Sequence, residues 1–138
     1  MAFELLDHEA DLGLEIEAGT LEELFAEAVR GLAACLTDVS GLRARDLRRR
    51  VEVTGRDSAE LLVRWLKEWL YLHETERFLA AEVRMIELSG TRAVGEGVGE
   101  LRDPVLHPAI REIKGVTYHQ AAVERRGNLW CARVIFDV

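Results

Sequence analysis

Two amphipathic segments with helical periodicity constrain the fold more than any other feature of the chain. Apolar residues recur at three- and four-residue steps across residues 21–36, and Thr20 and Glu23 form a capping box at the start of this segment. A second segment with the same kind of face covers residues 58–73, and the Asp57–Glu60 sequence repeats the capping pattern. Both segments are therefore predicted as helices whose apolar faces pack into a core.

The other apolar patterns are typical of strands. Leu12, Leu14 and Ile16 alternate with small or acidic residues, as expected of a half-buried strand. Further strands are predicted at residues 3–6, 51–53, 79–88, 93–101, 110–119, 122–125 and 130–136. The late strands follow one another through short turns, one of them at Gly127-Asn128, which favours antiparallel pairing. The prediction is an α+β fold with one domain over residues 1–138, in which two helices cover one face of a mostly antiparallel or mixed sheet.

Glycine at every second position, at Gly95, Gly97 and Gly99, is superficially similar to a phosphate-binding loop. The segment lacks the Lys-Ser/Thr ending of such a loop, and no helix is predicted after it. The pattern instead predicts a strand face that another element approaches closely.

The composition narrows the class of protein and its partners. The 138 residues are 49% hydrophobic, and no apolar run is long enough for a membrane span. No secretory signal begins the sequence, and Cys35 and Cys131 lie in apolar segments, which predicts buried thiols in a cytoplasmic protein. The net charge of −7 disfavours direct binding to a phosphate backbone. One arginine-rich stretch, residues 41–50, is interpreted either as a solvated segment or as a patch for RNA or an acidic partner.

Carboxylates lie near both ends of the sequence, each beside a predicted strand. Asp7, His8 and Asp11 fall within five residues of one another, and Asp137 immediately precedes Val138. Two carboxylates about 4 Å apart repel by roughly 4 kcal/mol at an effective dielectric near 20, which favours uptake of a proton or a cation. Oxygen ligands without cysteine suit Ca²⁺, Mg²⁺ or Mn²⁺. The alternative is that the aspartates are turn residues, caps or solvated groups.

Four longer sequence motifs occur together in this chain. The pattern Asp-His-x-Ala-Asp-x-Gly occurs at Asp7–Gly13, and a leucine- and tryptophan-rich pattern ending in Leu-Tyr-Leu occurs at Trp65–Leu72. The pattern Glu-Ile-Lys-x-Val-Thr-Tyr-His occurs at Glu112–His119, and the ending Val-Ile-Phe-Asp-Val occurs at Val134–Val138. Together these motifs resemble the archease family, and the resemblance covers essentially the whole chain, with the motifs in matching order and spacing.

The resemblance implies an accessory protein and not an enzyme, so no catalytic residues are expected. Archeases assist the RtcB-type RNA ligase of tRNA splicing and RNA repair by promoting its guanylylation and multiple turnover with a divalent ion. By motif, Asp11 and Asp137 would bind the metal, and Val138 would contribute a backbone or terminal oxygen. Ca²⁺ is the ion expected in a structure, with Mg²⁺ or Mn²⁺ as alternatives. RNA would be contacted only through the ligase.

The same resemblance assigns supporting roles to nearby residues. Asp7 and His8 would orient the metal ligands, and Lys114 and His119 would belong to the same functional surface. For Lys114 the alternative is a solvated strand lysine, and for His119, as for His107, it is a structural histidine. Tyr118 is expected in core or edge packing.

Two other classes of function remain open on the residues alone. The first is a small metal-dependent hydrolase in which Asp11, Asp137 and His8 handle metal and proton transfer. No evident nucleophile–base pair or HExxH motif supports this class. The second is a chaperone-like partner without metal chemistry.

Overall fold

The computed structural model of the chain describes residues 2–7 and 11–138, apart from the side chains of Leu6 and Asp7. Within these residues two helices and seven strands follow the order β-β-α-β-α-β-β-β-β. The elements are β1 (Ala2–Asp7), β2 (Asp11–Ala18), α1 (Leu21–Leu36), β3 (Leu47–Thr54), α2 (Ser58–Glu76), β4 (Phe78–Leu88), β5 (Arg92–Leu101), β6 (Gly115–Arg126) and β7 (Leu129–Asp137).

The strands form two antiparallel sheets. The first sheet has the order β1-β2-β7-β6, and the second has the order β3-β5-β4. The predicted α+β class is confirmed, but the expected single sheet is divided in two. Helix α1 contacts β1, β2 and β7 of the first sheet and β4 of the second, while α2 contacts β6 and all three strands of the second. Each helix therefore packs on both sheets, and the helical pair holds the sheets together.

The predicted caps and apolar helical faces are confirmed. The amide of Glu23 donates to Thr20 Oγ1 at 3.1 Å, and the amide of Glu60 donates to Asp57 Oδ1 at 2.9 Å. These bonds satisfy backbone donors that a helix leaves free at its first turn. The residues of both apolar faces are almost all buried. Within the described residues neither helix is long and apolar enough to cross a membrane.

Two titratable groups of the core are neutral at physiological pH. Burial lowers the pKa of His73 below its usual value. Burial also raises the pKa of Cys35 to about 11, an effect that the charge of Arg111 partly offsets. The prediction of a buried thiol is thus confirmed for Cys35, whereas Cys131 is only half-buried.

Three element boundaries differ from those predicted. Helix α2 continues to Glu76, past the predicted end near residue 73, and β3 begins at Leu47, so that it includes part of the arginine-rich stretch. The strand predicted to begin at Ile110 begins only at Gly115 and continues without a break to Arg126. Because the amide of Ile110 donates to the carbonyl of Leu36 at 2.9 Å, residues 110–114 follow the end of α1 before they reach the sheet.

The alternating glycines of β5 are closely approached, as predicted, and the approaching elements include α2. A Cβ atom added at Gly95 would lie 2.6 Å from the Trp65 ring, and one added at Gly97 would lie 2.7 Å from the Trp69 ring. The indole of Trp65 also donates to the carbonyl of Phe25 in α1 at 3.0 Å. The glycines therefore make room for the two tryptophans, which connect α2 to the second sheet and to α1.

Substituting Gly97 by alanine should destabilise the protein because the new methyl group would overlap the Trp69 ring. We expect the free energy of unfolding to fall by about 1–3 kcal/mol, the usual effect of overpacking a core. Urea unfolding followed by circular dichroism measures this change. Gly115→Ala is the matched control, since no atom lies within 4 Å of the added Cβ at that strand position. Equal stabilities for Gly97→Ala and Gly115→Ala would contradict the packing described.

Candidate functional site

The first sheet brings together the two acidic segments that are farthest apart in the sequence. Asp11, the first residue of β2, lies directly opposite Asp137, the last residue of β7. Asp137 in turn lies opposite Gly115, the first residue of β6. Three adjacent strands therefore meet at one end of this sheet, and the Asp11–Asp137 pair, called the acid pair below, lies at their junction.

The geometry of an antiparallel ladder places the two carboxylates on the same face of the sheet. Residues directly opposite each other have Cβ atoms about 4.5–5.5 Å apart. Asp11 is half-buried and Asp137 is exposed, so the pair is open to solvent on one side. The amide of Lys114 donates to the carbonyl of Asp137 at 2.7 Å, and the side chain of Val138 packs against the core. The main chain at Asp137 is thus fixed on both sides.

The other predicted site residues that the structure describes lie on β1, on β6 and on the segment before β6. Asp7 ends β1 and lies opposite Leu12, the neighbour of Asp11, but its side chain is not described, and His8 lies outside the described residues. Lys114 and His119 are exposed. Among the residues that the structure describes, no group of three or more His, Cys, Asp or Glu side chains could hold a metal ion. Among the described residues, the side chains left to bind a metal at the predicted site are those of the two aspartates.

The pairing of strand β6 with β7 contains, close to the acid pair, a bulge that the sequence did not reveal. Thr117 pairs with Ile135, but the next pair is Ala122 with Arg133, so four residues of β6 lie opposite a single residue of β7. Within this bulge Gln120 has a φ of 55°, which is uncommon for a residue other than glycine. Bulges of this kind redirect side chains at sheet margins and near functional sites.

The bulge turns Tyr118 and His119 toward solvent. Tyr118 was expected to pack either in the core or at the sheet edge. It lies at the edge, where it is 48% exposed. The Lys67 ammonium of α2 lies 4.5 Å from the centre of the Tyr118 ring, a cation–π contact. Sequence reasoning missed this pair because nothing in the local pattern of α2 or β6 relates the two residues.

His107 is a structural histidine. Its Nδ1 accepts the amide proton of Asp103 at 2.9 Å, so in the neutral ring Nε2 carries the proton and donates to Glu100 Oε1 at 2.8 Å. The ring is buried, with 1% of its surface exposed, and both of its nitrogens are satisfied. Of its two predicted roles, His107 therefore has the structural one.

The arginine-rich stretch forms ion pairs within the molecule. Guanidinium groups of Arg45, Arg48 and Arg49 lie 2.7–2.8 Å from carboxylates of β5 and of the end of α2. The partners are Glu100, Glu96 and Glu76, respectively. Pairing reduces the positive charge that this segment offers to a phosphate backbone, which favours its interpretation as a solvated surface.

These features define a class of small α+β protein in which an open pair of aspartates is built where three strands of one sheet meet. A sequence profile of the archease protein family matches residues 3–138. The archease of Methanopyrus kandleri is 34% identical over the full length of both chains. The solution structure of protein 1598 of Methanobacterium thermoautotrophicum is 34% identical, covers 99% of this chain and 98% of its own, and superposes with a TM-score of 0.81.

A second solved structure, from Thermotoga maritima, is described as an archease and possible chaperone. It covers 96% of this chain and 94% of its own with a TM-score of 0.62, and at 20% identity it bears on the fold alone. The chain belongs to the archease family.

Removing one charge of the acid pair should stabilise the metal-free protein. Like charges directly opposite each other in an antiparallel sheet are destabilising. In EDTA at pH 7, we expect Asp137→Asn to raise the free energy of unfolding by up to about 1 kcal/mol. Urea unfolding measures the change. Glu17→Gln is the control because Glu17 is an exposed carboxylate of the same strand β2 that lies opposite Cys131. A loss of stability in Asp137→Asn would show that the carboxylates do not oppose each other.

Proposed function

We propose that this archease is a metal-binding accessory protein that activates an RtcB-type RNA ligase. In this proposal it promotes guanylylation and multiple turnover of the ligase in tRNA splicing and RNA repair, and it is not itself an enzyme. The observation that supports the proposal most strongly is the register of β2 and β7, which places Asp11 opposite Asp137 on an accessible end of the first sheet. The chain is an archease, and the RtcB-type ligase is proposed as its partner from the resemblance of its motifs to that family.

The chemistry of the acid pair suits a hard divalent cation. Asp11 and Asp137 would bind the ion through carboxylate oxygens, and Val138 would add an oxygen of its own. Carboxylate and carbonyl oxygens are the preferred ligands of Ca²⁺, Mg²⁺ and Mn²⁺, which take six or more ligands. The donors provided by this chain leave several positions of such an ion open to water or to groups of the partner. When bound, the ion would supply positive charge at the contact with the partner.

Neighbouring residues would hold this arrangement in place. The amide of Lys114 fixes the carbonyl of Asp137, and the Lys114 side chain lies in solvent beside the pair. Asp7 and His8 are proposed as groups that orient the ligands, and His119 is proposed as part of the same surface. Orienting groups of this kind typically change metal affinity or activity by about 10–100-fold.

An open site at a sheet end suits an accessory protein better than a hydrolase. The structure has a cavity of about 580 Å³ on the first sheet, but neither Asp11 nor Asp137 lines it. A hydrolase would need its catalytic acids to line a concave site that binds and orients the substrate and the attacking water. The exposed acid pair can instead enter the site of a larger partner.

We also propose that the ligase holds the RNA and that both proteins meet in the cytoplasm. The net charge of −7 and the ion pairs of Arg45, Arg48 and Arg49 support indirect contact with RNA. The two free cysteines suit a reducing compartment.

Guanylylation of the ligase with labelled GTP tests the proposal. Wild-type protein should stimulate labelling in the presence of a divalent ion, whereas Asp11→Asn and Asp137→Asn should each reduce the stimulation by at least about tenfold. These substitutions keep the size of the side chain and remove its charge. Circular dichroism of the same samples shows whether each variant is folded.

The controls separate the accessory role from its alternatives. Glu17→Gln should stimulate like the wild type, since it removes an exposed carboxylate of the same strand at a distance from the pair. Full stimulation by both aspartate variants would favour a chaperone-like role without metal chemistry. Turnover of a phosphoester substrate by the archease alone would favour a hydrolase.

A further inference from the structure

A turn between β5 and β6 exposes several large apolar side chains. Val105 is 84% exposed, and Leu101, Leu106 and Ile110 are each more than half exposed. These four residues are called the apolar tip. Pro104, Pro108 and Ala109 between them are exposed as well. A contiguous apolar patch on a protein surface usually marks an interaction site.

The turn that presents the tip is held by its own hydrogen bonds. Asp103 Oδ1 accepts the amide protons of Val105 at 2.8 Å and of Leu106 at 3.3 Å. The amide of His107 donates to the carbonyl of Asp103 at 2.7 Å, and the His107 ring accepts the amide proton of Asp103. The backbone on both sides of Val105 is therefore fixed, although the residue itself makes little contact with the rest of the molecule.

The base of the turn is a polar network around the buried His107 ring. His107 donates to Glu100, and Glu100 also accepts from the amide of Arg43 and the guanidinium of Arg45. Burial by itself would raise the pKa of Glu100, but these hydrogen bonds outweigh it and hold the pKa of the carboxyl below its usual range. Glu100 is thus a charged acceptor at neutral pH, and it anchors the ring that fixes the turn.

Further bonds attach the flanking segments to the helices. The amide of Arg102 donates to the carbonyl of Arg77 at the end of α2, at 2.7 Å. The amide of Asp38, just after α1, donates to the carbonyl of Pro108 at 2.9 Å. The tip is consequently an extension of the rigid body, even though residues 102–114 lie outside the named helices and strands.

A fixed apolar projection is suited to binding because little conformational entropy remains to be lost. Immobilising a flexible side chain or loop on association has an entropic cost, and a group already held in place avoids much of this cost. Both ring nitrogens of the buried His107 are hydrogen-bonded, and these bonds fix the turn that exposes Val105 and Leu106 to solvent. This arrangement is typical of an anchor that enters a pocket of a partner.

If two copies of this chain associated, the tip of one copy could enter a cavity of the other. Neither of two cavities in this chain fits the tip. The cavity of about 580 Å³ has six charged lining residues interspersed with apolar ones such as Phe3 and Ile16; the charged residues are Glu4, Glu15, Glu17, Glu124, Arg126 and Arg133. An apolar cavity between α1, α2 and β4 has a volume of only about 10 Å³. Burying valine and leucine in the first cavity would remove water from charged groups, and the second cavity cannot admit either side chain. The tip therefore fits a different protein better than it fits a second copy.

The tip is connected to the acid pair by a short extended segment. Residues 110–114 run from Ile110 to Lys114, whose amide is bonded to the carbonyl of Asp137. Four residue steps span at most about 14 Å. Ile110, Glu112 and Lys114 are exposed, whereas Ile113 is buried. A partner that contacts the acid pair can therefore reach the tip across one continuous exposed strip.

We propose that the apolar tip docks in an apolar pocket on the same protein partner whose site receives the acid pair. This inference rests on the proposed function, because it names the second contact of the same partner. Docking of Val105 and Leu106 would supply affinity, and the acid pair would supply the ion. The two surfaces would then be separable by substitution.

The test compares binding and stimulation in one set of variants. Val105→Ser combined with Leu106→Ser keeps the backbone amides that hold the turn and removes the apolar groups. Isothermal titration of the ligase should show an affinity at least about tenfold weaker than that of the wild type, as expected for a binding hot spot. Stimulation of guanylylation should return when the variant is added at a concentration that saturates the ligase.

A matched control is available on other surfaces of the molecule. Ile86→Ser combined with Leu129→Ser also removes two exposed apolar side chains, from β4 and β7, and should leave the affinity unchanged. Affinity of the tip variant equal to that of the wild type would overturn the docking proposal alone. A wild-type protein that neither binds nor stimulates the ligase would overturn the proposed function as well.

Two further measurements address the other occupants of an apolar patch. Sedimentation velocity should show the same molecular mass for the wild type and the tip variant. A wild-type dimer that the substitutions dissociate would assign the tip to self-association. Sedimentation of the wild type, but not of the tip variant, with phosphatidylserine vesicles would assign it to a lipid surface. Either outcome would overturn the proposal.

Discussion

The pairing of β2 with β7 is the constraint on which the candidate site depends. Leu12, Leu14 and Ile16 are buried on one face of β2, opposite buried side chains of β7, and this apolar contact fixes the register. A slip of one residue would turn an entire set of side chains to the other face of the sheet. The hydrophobic core therefore determines that Asp11 meets Asp137. The fold holds the two carboxylates close together although they repel each other, and a bound cation would relieve this repulsion.

The local features of this fold could be predicted from the sequence, but their long-range assembly could not. Helical periodicity and capping residues gave α1 and α2, and the alternating glycines gave the strand face against which Trp65 and Trp69 pack. The division into two sheets depends on pairing between strands far apart in the chain, which no local pattern encodes. The late start of β6 has a similar cause, because a bond from Ile110 to the end of α1 holds the preceding residues away from the sheet.

The candidate site shows the same division. The carboxylates at the two ends of the sequence were predicted to meet, and the structure places them opposite each other. The bulge in β6, the contact of Lys67 with Tyr118 and the network around His107 arise only from tertiary structure. Some charges elsewhere on the surface are paired, as Arg48 and Arg49 of β3 are, whereas the acid pair consists of like charges and the tip of exposed apolar groups. A short extended segment connects these two surfaces.

The most direct test of the acid pair as a metal site is NMR of the ¹⁵N-labelled protein during titration with Mn²⁺, whose unpaired electrons broaden nearby amide signals. We expect the amides of Asp11, Gly115 and Asp137 to broaden first and together, although they lie on three different strands. Excess Ca²⁺ should restore their signals. Selective broadening around Glu15, Glu17 and Glu124, with the acid pair unaffected, would place the cation in the charged cavity instead. That result would show that the acid pair is not the metal site.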